Sequence, residues 1–481
     1  MNILFAASEA APFAKTGGLA DVAGSLPPAL ASLGHEVRMV MPYYRQVARQ
    51  NFSLKHIATF PVPLGTWQER CDVLEGTTEN NIIVYFIKKD IYYDRPELYG
   101  TARADYPDNA ERFIFFSLAV LELCRALRYS PDIVHCNDWQ TGLIPLYLKT
   151  RERGTGALRR TRTVFTVHNL GYQGLFWHWD MRLTGLAWDL FTPEGIEFWG
   201  KLNFLKAGLV YSDVITTVSK TYSREIRTPE YGCGLEGVLL KRSKDLHGIV
   251  NGIDYRTWDP AHDQAIPKTY SAARLAGKTA CKKALQALVR LPLSEDPIIG
   301  MVTRLVDQKG LDILTEALPE IMSLGARLII LGTGDEKYQD LLSDAAELYG
   351  DQVRVLLRYD DRLAKNMYAG CDLFLMPSQY EPCGLGQMMA LRYGAVPVVR
   401  KTGGLADTVA NYNAKTGQGT GFVFEAYSAP ALVGCLRRAL TVYSNRTVWK
   451  HLMQQGMKMD FSWERSAGEY VKVYRKAMRK M

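Results

Sequence analysis

Short apolar runs alternate with longer amphipathic stretches through most of the 481-residue chain. Residues 2–7 form the first apolar run, and a glycine-rich loop at 15–18 follows it. The amphipathic stretch at 19–33 then predicts a helix, and residues 36–41 predict the next strand. A strand, a helix and a second strand in this order are typical of a parallel sheet with helices on its faces.

The alternation continues along the chain and restarts once. Further strands of the first set are predicted at 82–87, 133–136, 163–167 and 214–218. A second set begins near residue 297, with strands predicted at 298–303, 327–331, 353–357, 372–376 and 396–399 and helices at 311–324, 336–348 and 385–393. Because the chain is too long for one hydrophobic core, the pattern predicts two doubly wound α/β domains, 1–248 and 249–460. The amphipathic segment 461–481 is predicted to be a helix that packs back on the first domain.

Composition narrows the function classes. The net charge is +8, from 58 Lys and Arg against 50 Asp and Glu, which suits a phosphate-bearing small substrate. The basic runs are too short for a nucleic-acid binder, and no run approaches the roughly 18 apolar residues of a membrane span. The first residues lack the basic region of a secretion signal. Eight cysteines without a C-x-x-C pair favour reduced thiols, so we expect a cytoplasmic protein without disulfides or zinc.

One seven-residue segment occurs twice. Residues 15–21 and residues 401–407 both read K-T-G-G-L-A-D. Two glycines before a helix are costly unless the backbone must approach something closely. A phosphate-handling turn shared by two related domains is therefore favoured over coincident chemistry at two helix starts.

The first copy of this segment is a candidate phosphate site. Gly17 and Gly18 leave the main chain open, the following helix offers free N–H groups, and Lys15 adds a positive charge. The sequence matches neither G-x-G-x-x-G nor the Walker A loop, so a dehydrogenase and a P-loop NTPase are not supported. The alternative is an ordinary turn between a strand and a helix.

Two cations follow the predicted strand at 298–303. Arg304 and Lys309 stand five residues apart where that strand ends, and ligands of open α/β sheets bind at the carboxyl ends of strands. The pair could stabilise the negative charge that develops on a departing diphosphate. The alternative is two exposed loop cations without a function.

The segment S-Q-Y-E-P-C-G-L at 378–385 follows the predicted strand at 372–376. Glu381 precedes a predicted helix start, and its carboxylate can accept hydrogen bonds from sugar hydroxyls. The backbone N–H groups at 384–386 could hold phosphate oxygens. The alternative is that Glu381 only complements the helix dipole.

Polar residues also end two predicted strands of the first domain. His168 and Asn169 follow one strand, and Asp138 follows another. A structural role is the more common one for a single histidine. Residues 92–96, Y-Y-D-R-P, combine aromatic rings with charge and could stack on sugar rings or form a surface turn. No His, Cys, Asp and Glu set has metal-ligand spacing, and no G-x-S-x-G elbow is present.

These motifs, taken in order, resemble the glycogen and starch synthases. That family combines an N-terminal K-T-G-G-L loop, an H-N pair, an R-x4-K pair, an E-P-C-G-L segment and a second T-G-G-L. In this chain they occupy 15–19, 168–169, 304–309, 381–385 and 402–405. The resemblance extends from residue 1 to the F-S-W at 461–463, and the ordered set is highly specific although each motif alone is weak.

The resemblance implies the GT-B architecture, which is two Rossmann-like doubly wound domains facing across a deep cleft. It implies an α-1,4-glucosyltransferase that retains the α configuration, uses ADP-glucose as donor and an α-glucan as acceptor, and needs no cofactor or bound metal. The donor base, ADP or UDP, and the oligomeric state stay open. No nucleic acid or membrane is expected as a partner.

The resemblance also assigns roles to residues. Lys15, Gly17 and Gly18 would approach the phosphates or the glucose, and His168 would lie close to the reacting sugar. Arg304 and Lys309 would bind the diphosphate, and Glu381 would hold the transferred glucose. The remaining positions are Tyr359 near adenine; Cys383, Gly384, Leu385, Thr402 and Gly403 at the donor; and Asp21, Tyr93, Asp138, Asn169 and Asn251 in the cleft.

Three positions depart from the family pattern. Gly386 stands where many relatives have Thr, which removes a hydroxyl but keeps an N–H group. Asn137 replaces a His found in some relatives. Met389 occupies the second Glu position of the E-x7-E pattern of the wider superfamily, which synthases of this type also lack.

Three other functions account for part of the sequence pattern. A glycoside hydrolase would use two carboxylates, for which Glu9 and Glu381 could be proposed, but it leaves the cations unexplained. A non-catalytic glucan-binding protein would leave the phosphate loops unused. A sucrose- or trehalose-type GT-B transferase does not suit the pairing of K-T-G-G-L with E-P-C-G-L.

Overall fold

The computed structural model describes residues 1–101, 104–152 and 156–480. They form two compact units. The first comprises Met1–Gly252 together with the residues from Trp463 onward, and the second comprises Ile253–Ser462. The chain thus leaves the first unit after Gly252, four residues beyond the expected boundary, and returns to it at Trp463.

The first unit is built on a nine-stranded sheet and a smaller three-stranded one. Its strands are β1 (Asn2–Ala6), β2 (Glu36–Pro42), β3 (Lys55–Leu64), β4 (Trp67–Thr77), β5 (Ile83–Lys88), β6 (Ile133–Asn137), β7 (Arg162–Val167), β8 (Leu175–Trp177), β9 (Glu197–Phe198), β10 (Lys201–Asn203), β11 (Val214–Thr217) and β12 (Leu246–Gly248). The large sheet has the order β12-β11-β7-β6-β1-β2-β5-β4-β3, and the small one β8-β10-β9.

Most neighbours in the large sheet are parallel, but β4 pairs antiparallel with both β3 and β5. The β3–β4 hairpin was not among the predicted elements. Pro61 and Pro63 lie inside β3, and proline argues against a strand because it cannot donate to the ladder. β3 stands at the edge of the sheet, which is the one position where such a strand is tolerated.

Helices of 4 to 18 residues connect and cover the strands of the first unit. They are α1 (Gly18–Ser32), α2 (Arg45–Ala48), α3 (Asp90–Tyr93), α4 (Asn109–Ala126), α5 (Leu143–Tyr147), α6 (Met181–Thr184), α7 (Phe204–Tyr211), α8 (Tyr222–Glu225) and α9 (Glu236–Lys241). The helix predicted at 19–33 is α1, which buries Leu19, Val22, Leu26 and Leu30 against the sheet.

The second unit has a six-stranded, fully parallel sheet. Its elements are α10 (Ala276–Leu288), β13 (Ile298–Val302), α11 (Leu311–Ser323), β14 (Arg327–Leu331), α12 (Glu336–Leu348), β15 (Val353–Leu356), α13 (Asp361–Gly370), β16 (Leu373–Met376), α14 (Gly386–Arg392), β17 (Val396–Arg400), α15 (Gly403–Thr408), β18 (Phe422–Phe424), α16 (Ala429–Tyr443) and α17 (Arg446–Met457). The order β15-β14-β13-β16-β17-β18 is the 3-2-1-4-5-6 order of a Rossmann fold.

Apolar cores lie on both faces of this second sheet. One contains Leu314 and Leu318 of α11 with Leu432 and Leu436 of α16. The other contains residues of α10, α13 and the segment after α14. In this unit, every strand and helix predicted between residues 297 and 400 is present within two residues of its predicted bounds. The strands were predictable because strands buried on both faces appear in the sequence as continuous apolar runs.

The last helix, α18 (Trp463–Met478), belongs to the first unit. Tyr470 and Tyr474 are fully buried there, and the Tyr474 hydroxyl lies 2.8 Å from Nδ1 of His135 in β6. The Ser466 hydroxyl donates to the carbonyl of Val250 at 2.7 Å. The final helix therefore completes the core of the unit in which the chain began.

No helix in the described parts of the chain combines the length and the apolar character that crossing a bilayer requires.

Candidate active site

A nearly buried ion pair lies at the switch point of the sheet in the second unit. β13 and β16 are adjacent and parallel there, and the loops that follow them meet at the carboxyl edge. Nζ of Lys309 lies 2.6 Å from Oε2 of Glu381, and only 15% and 7% of the two side chains are exposed. The Ser378 hydroxyl donates to the same carboxylate oxygen at 3.0 Å.

The backbone fixes these two loops against each other. The Gln379 N–H donates to the Gln308 carbonyl at 2.9 Å, and the Gln308 amide donates to the Tyr380 carbonyl at 3.2 Å. Gly310 has φ +71°, and a Cβ there would lie 2.2 Å from the Pro377 carbonyl oxygen. Only glycine allows this approach, so Lys309 is held beside Glu381 by the chain on both sides.

Arg304 is placed differently from Lys309. Its side chain is exposed and makes no hydrogen bond or ion pair with the described residues. The neighbouring Asp307 carboxylate is engaged by Lys337 at 2.6 Å and by the Tyr338 hydroxyl at 2.5 Å. Arg304 is therefore a cation at the carboxyl edge that is available to a ligand anion.

The second K-T-G-G-L-A-D segment packs closely against the backbone of the loop that contains Glu381. Thr402 is fully buried, and Gly403 is also buried. A Cβ on Gly403 would lie 1.9 Å from the Glu381 carbonyl oxygen, and a Cβ on Gly404 equally close to that of Cys383. The expectation that Thr402 and Gly403 contact the donor directly is therefore corrected: their burial leaves them a supporting position.

The rest of the 383–385 segment turns into α14. Cys383 is buried, and Gly384 has φ +68°. The Gln387 side chain donates to the carbonyls of Cys383 and Gly384 at 3.0 and 2.9 Å. Leu385 is the N-terminal cap residue of α14.

Tyr359 lies after β15 at the carboxyl edge of the sheet. Its side chain is largely exposed, and its hydroxyl donates to Asp361 at 2.6 Å. This hydrogen bond orients the Tyr359 ring, which remains largely exposed to solvent.

In the first unit, Glu9 organises the first glycine loop. One carboxylate oxygen accepts the N–H groups of Thr16 at 2.6 Å and Gly17 at 3.1 Å, and the Thr16 hydroxyl also donates to the carboxylate. The other oxygen accepts the Tyr99 hydroxyl at 3.0 Å. Glu9 is almost fully buried. Because both oxygens are occupied, the geometry disfavours Glu9 as the acid of a hydrolase.

The space where side chains would stand on the two glycines of this loop is open. Gly17 and Gly18 are exposed, neither has a positive φ, and an added Cβ on either would have no atom of the described structure within 4 Å. Nζ of Lys15 lies 2.7 Å from the Asp21 carboxylate, and both side chains are well exposed. The fold of this unit gives no reason for glycine at these positions, whereas a ligand that approaches the backbone would.

Asp138 and His168 share one edge of the large sheet. The Asp138 carboxylate accepts the His168 N–H at 2.8 Å, and Nε2 of His168 lies 2.9 Å from Oδ1 of Asn137. Burial raises the pKa of Asp138 to about 7 and lowers that of His168 to about 3. Asp138 also has φ +55°, a strained conformation of the kind found at functional sites.

The hydrogen bonds assign the neutral tautomer of His168. The Asn137 amide nitrogen donates to the Ala6 carbonyl at 3.0 Å, so its oxygen faces the imidazole. Nε2 of His168 must then carry the proton, and Nδ1 remains an acceptor. Asn169 lies beside it, and its side-chain oxygen accepts the Gly171 N–H at 3.0 Å.

Tyr93 does not occupy the position expected for it. Its ring is fully buried, and its hydroxyl donates to the Arg112 carbonyl at 3.0 Å. Tyr92 is also buried, so the proposed sugar stacking at 92–96 is corrected. Tyr99, which the sequence reading missed, is the tyrosine that contacts Glu9. Asn251 is buried, and its Oδ1 has no hydrogen-bond partner among the residues that the structure describes.

Within the described ranges, no group of three or more His, Cys, Asp or Glu side chains is arranged to hold a metal ion.

Known protein families match both halves of the chain. Residues 2–241 match the family described as "Starch synthase catalytic domain", and residues 288–451 match "Glycosyl transferases group 1". Two Rossmann-like units with these matches define a glycosyltransferase of the GT-B class. Sucrose-phosphate synthase from Thermosynechococcus elongatus superimposes with a TM-score of 0.62 over 98% of both chains, and at 17% identity this likeness concerns the fold alone.

Closer relatives give the family. The glycogen synthase of Syntrophotalea carbinolica is 49% identical over 480 residues, 99% of both chains, and that of Geotalea daltonii is 49% identical over 482 residues. The solved catalytic domain of starch synthase IV from Arabidopsis thaliana, bound to ADP and acarbose, has 34% identity and a TM-score of 0.92 over 100% of this chain and 99% of that one. The chain belongs to the glycogen and starch synthase family.

Proposed function

We propose that this enzyme transfers glucose from ADP-glucose to the non-reducing end of an α-1,4-glucan, retains the α configuration and releases ADP. The observation that carries the proposal is the Lys309–Glu381 pair at the switch point of a Rossmann sheet, in the same loop as the exposed Arg304. ADP as the leaving group is supported by the starch synthase IV structure, which contains bound ADP. The glucan acceptor is supported by relatives named glycogen synthase.

Arg304 and Lys309 act on the leaving group. As the bond between glucose and phosphate breaks, negative charge develops on the diphosphate, and the two cations stabilise it. Lys309 is already fixed by Glu381, so little reorganisation is needed at that moment. The Glu381 carboxylate accepts hydroxyl hydrogen bonds of the transferred glucose, and Tyr359 offers a ring face to the base.

The residues of the first unit act on the sugar and the acceptor. The Gly17 N–H is held by Glu9, but the missing side chains at Gly17 and Gly18 leave room for donor phosphate or glucose oxygens to approach the loop beside Lys15. His168 is neutral, so its Nδ1 accepts a hydrogen bond from a sugar hydroxyl without adding positive charge near the oxocarbenium-like centre. Asp138, Asn169, Asp21 and Asn251 complete the polar contacts that we assign to this side.

The transfer needs no protein side chain to take the proton of the acceptor hydroxyl. The 4-hydroxyl of the acceptor attacks the anomeric carbon from the face that the diphosphate leaves, which retains configuration. Its proton passes to the departing phosphate oxygen. No cofactor or metal has a step in this scheme. We place the enzyme in the cytoplasm, since seven of its eight cysteines are buried free thiols.

The test is incorporation of glucose into glycogen from either ADP-glucose or UDP-glucose, with EDTA present and release of the nucleoside diphosphate measured in parallel. We expect incorporation from ADP-glucose, with equal amounts of ADP released. Incorporation from UDP-glucose alone would overturn the donor assignment but keep the reaction. Folded protein that transfers from neither donor would contradict the proposed function.

A further inference from the structure

Four of the nine tryptophans lie in one 23-residue stretch of the first unit, and all four are exposed. The exposed fractions are 60% for Trp177, 50% for Trp179, 47% for Trp188 and 86% for Trp199. Single exposed hydrophobic residues are ordinary, but an exposed cluster of large rings indicates a binding surface. We call these four residues the tryptophan patch.

Three of the four rings lie in contact with one another, and the fourth, Trp199, lies near them in the chain fold. The centroids of Trp177 and Trp179 are 6.4 Å apart, and those of Trp179 and Trp188 are 5.8 Å apart. Trp199 lies in the turn between β9 and β10, two residues before Lys201, which pairs with Trp177 across the small sheet. It has φ +51°, so an unfavourable backbone conformation presents this ring to solvent.

The patch continues directly from residues that we assign to the acceptor. β8 begins six residues after Asn169, and its side chains alternate between the two faces of the strand. Phe176 packs on one face against Trp139, with centroids 5.5 Å apart, and Trp139 is the neighbour of Asp138 in the chain. Trp177 lies on the opposite, exposed face. One short strand therefore links the Asp138 region to the patch.

The polar groups around the rings suit a carbohydrate. Asp180 and Asp189 each follow a patch tryptophan, and neither carboxylate makes a hydrogen bond or ion pair within the described part of the chain. Flat aromatic faces beside free acceptors match the sugar ring, which has apolar C–H faces and hydroxyl edges. A protein partner would instead require a desolvated core with few unpaired carboxylates.

We propose that the tryptophan patch binds the α-glucan acceptor several residues away from the end that reacts, so that long chains bind more tightly than short ones. This inference rests on the proposed function and adds a determinant of acceptor length to it. The patch contacts no reacting atom, and its loss therefore leaves the chemical step unchanged.

The first test measures binding without the donor, by native electrophoresis in gels that contain glycogen. We expect the wild-type enzyme to be retarded and the double variant Trp177→Ala/Trp179→Ala to lose most of the retardation. The matched controls are Trp177→Tyr/Trp179→Tyr, which keeps two rings, and Leu33→Ala, which removes an exposed apolar side chain at the far end of α1. Equal retardation of the alanine variant and the wild type would overturn the proposal.

The second test compares acceptors in the transfer reaction. The alanine variant should raise the KM for glycogen by roughly tenfold, the loss expected for two ring contacts, and leave kcat and the KM for maltotriose unchanged. An equal rise for both acceptors would place the patch at the reacting end and contradict the inference. A change in oligomeric state with unaltered glycogen binding would instead identify a self-association surface. If the enzyme transfers no glucose, the gel experiment still decides whether the patch binds glucan.

Discussion

Arg304 and Lys309 have the same charge but different surroundings. Arg304 is exposed and has no ion-pair partner among the residues described, whereas Lys309 holds a nearly buried carboxylate. Removing either cation should lower kcat by about 10²-fold, as the loss of a preorganised donor does. Only Lys309→Ala should also destabilise the fold, by about 3 kcal/mol, because it leaves Glu381 unpaired away from water.

The measurements are steady-state turnover and thermal unfolding of Arg304→Ala and Lys309→Ala. The double variant Lys309→Met/Glu381→Gln is the control, since it removes both charges and should recover stability without activity. Near-normal turnover in both single variants would exclude the proposed role in leaving-group stabilisation.

The carboxyl group of Asp138 gives a prediction about pH. Burial raises its pKa from 3.8 to about 7. Between these values the folded chain retains a proton that the unfolded chain has released, so this group lowers the free energy of unfolding as pH rises from 3.8 to about 7. Asp138→Asn keeps an acceptor for the His168 N–H but removes this dependence.

We therefore expect the melting temperature of Asp138→Asn, relative to wild type, to increase between pH 5 and pH 8, in conditions where both proteins unfold reversibly. Asp189→Asn, at an exposed carboxylate of the same unit, should show no such trend. A difference that stays constant with pH would show that Asp138 is already ionised in the fold at pH 5.

The sequence was sufficient to predict some residues of the candidate site but not the contacts that they make. Lys309 and Glu381 could be named because each follows an apolar strand, but their contact depends on β13 and β16 being neighbours, which no local pattern records. The sequence suggests only a hydrolase role for Glu9, because its hydrogen bonds to Thr16 and Gly17 depend on the turn between them. Tyr93 and Tyr99 both stand in polar surroundings in the sequence, and only packing separates the buried ring from the one beside Glu9.

At the scale of elements, the repeated K-T-G-G-L-A-D segment begins a helix in both places, α1 and α15. The first pair of glycines faces open space, and the second pair lies against the backbone at 381–383. Gly18→Ala should therefore leave stability unchanged and reduce activity, because the added methyl group obstructs only a ligand. Gly404→Ala should destabilise the second unit, because its Cβ would lie 1.9 Å from the Cys383 carbonyl oxygen.

The measurements are thermal unfolding and glucose transfer of the two glycine variants. The reference is Gly434→Ala in α16, where the added Cβ would have no atom of the described structure within 4 Å. Full activity in Gly18→Ala would argue against close approach of the donor to that loop. Unchanged stability in Gly404→Ala would contradict the supporting role of the second segment.

The different surroundings of the two glycine pairs could not be predicted, because the two segments have the same amino-acid sequence. A helix start, a glycine pair and a lysine are local features, and both copies carry them. The use of the glycines depends on which backbone passes beside them, and that is a property of the tertiary fold. The α/β alternation was predictable because its strands are long apolar runs, whereas the β3–β4 hairpin was not, because its prolines mask the strand pattern.

At the scale of the whole molecule, the return of α18 to the first unit predicts an asymmetric effect of truncation. Ending the chain after Ser462 should destabilise the first unit and spare the second, because Ala467, Tyr470, Tyr474 and Ala477 are fully buried in the first unit alone. Tyr474→Phe should reproduce part of this loss, about 1–3 kcal/mol, by leaving Nδ1 of the buried His135 unpaired.

Limited proteolysis with identification of the fragments measures the two units separately. The truncated chain should be cleaved rapidly within 1–252 and slowly within 253–462. Lys472→Ala, at an exposed position of the same helix, is the control. Equal protection of both units after truncation would show that the first unit does not depend on α18.

The position of α18 also has a consequence for synthesis of the protein. Domains generally fold as they emerge, beginning with the N-terminal one, but here the first unit lacks one wall until the last 16-residue helix has been translated. The second unit is complete in sequence before that helix leaves the ribosome. The unit that begins first is therefore finished last, and a product released before α18 has been made exposes apolar surface that chaperones and proteases recognise.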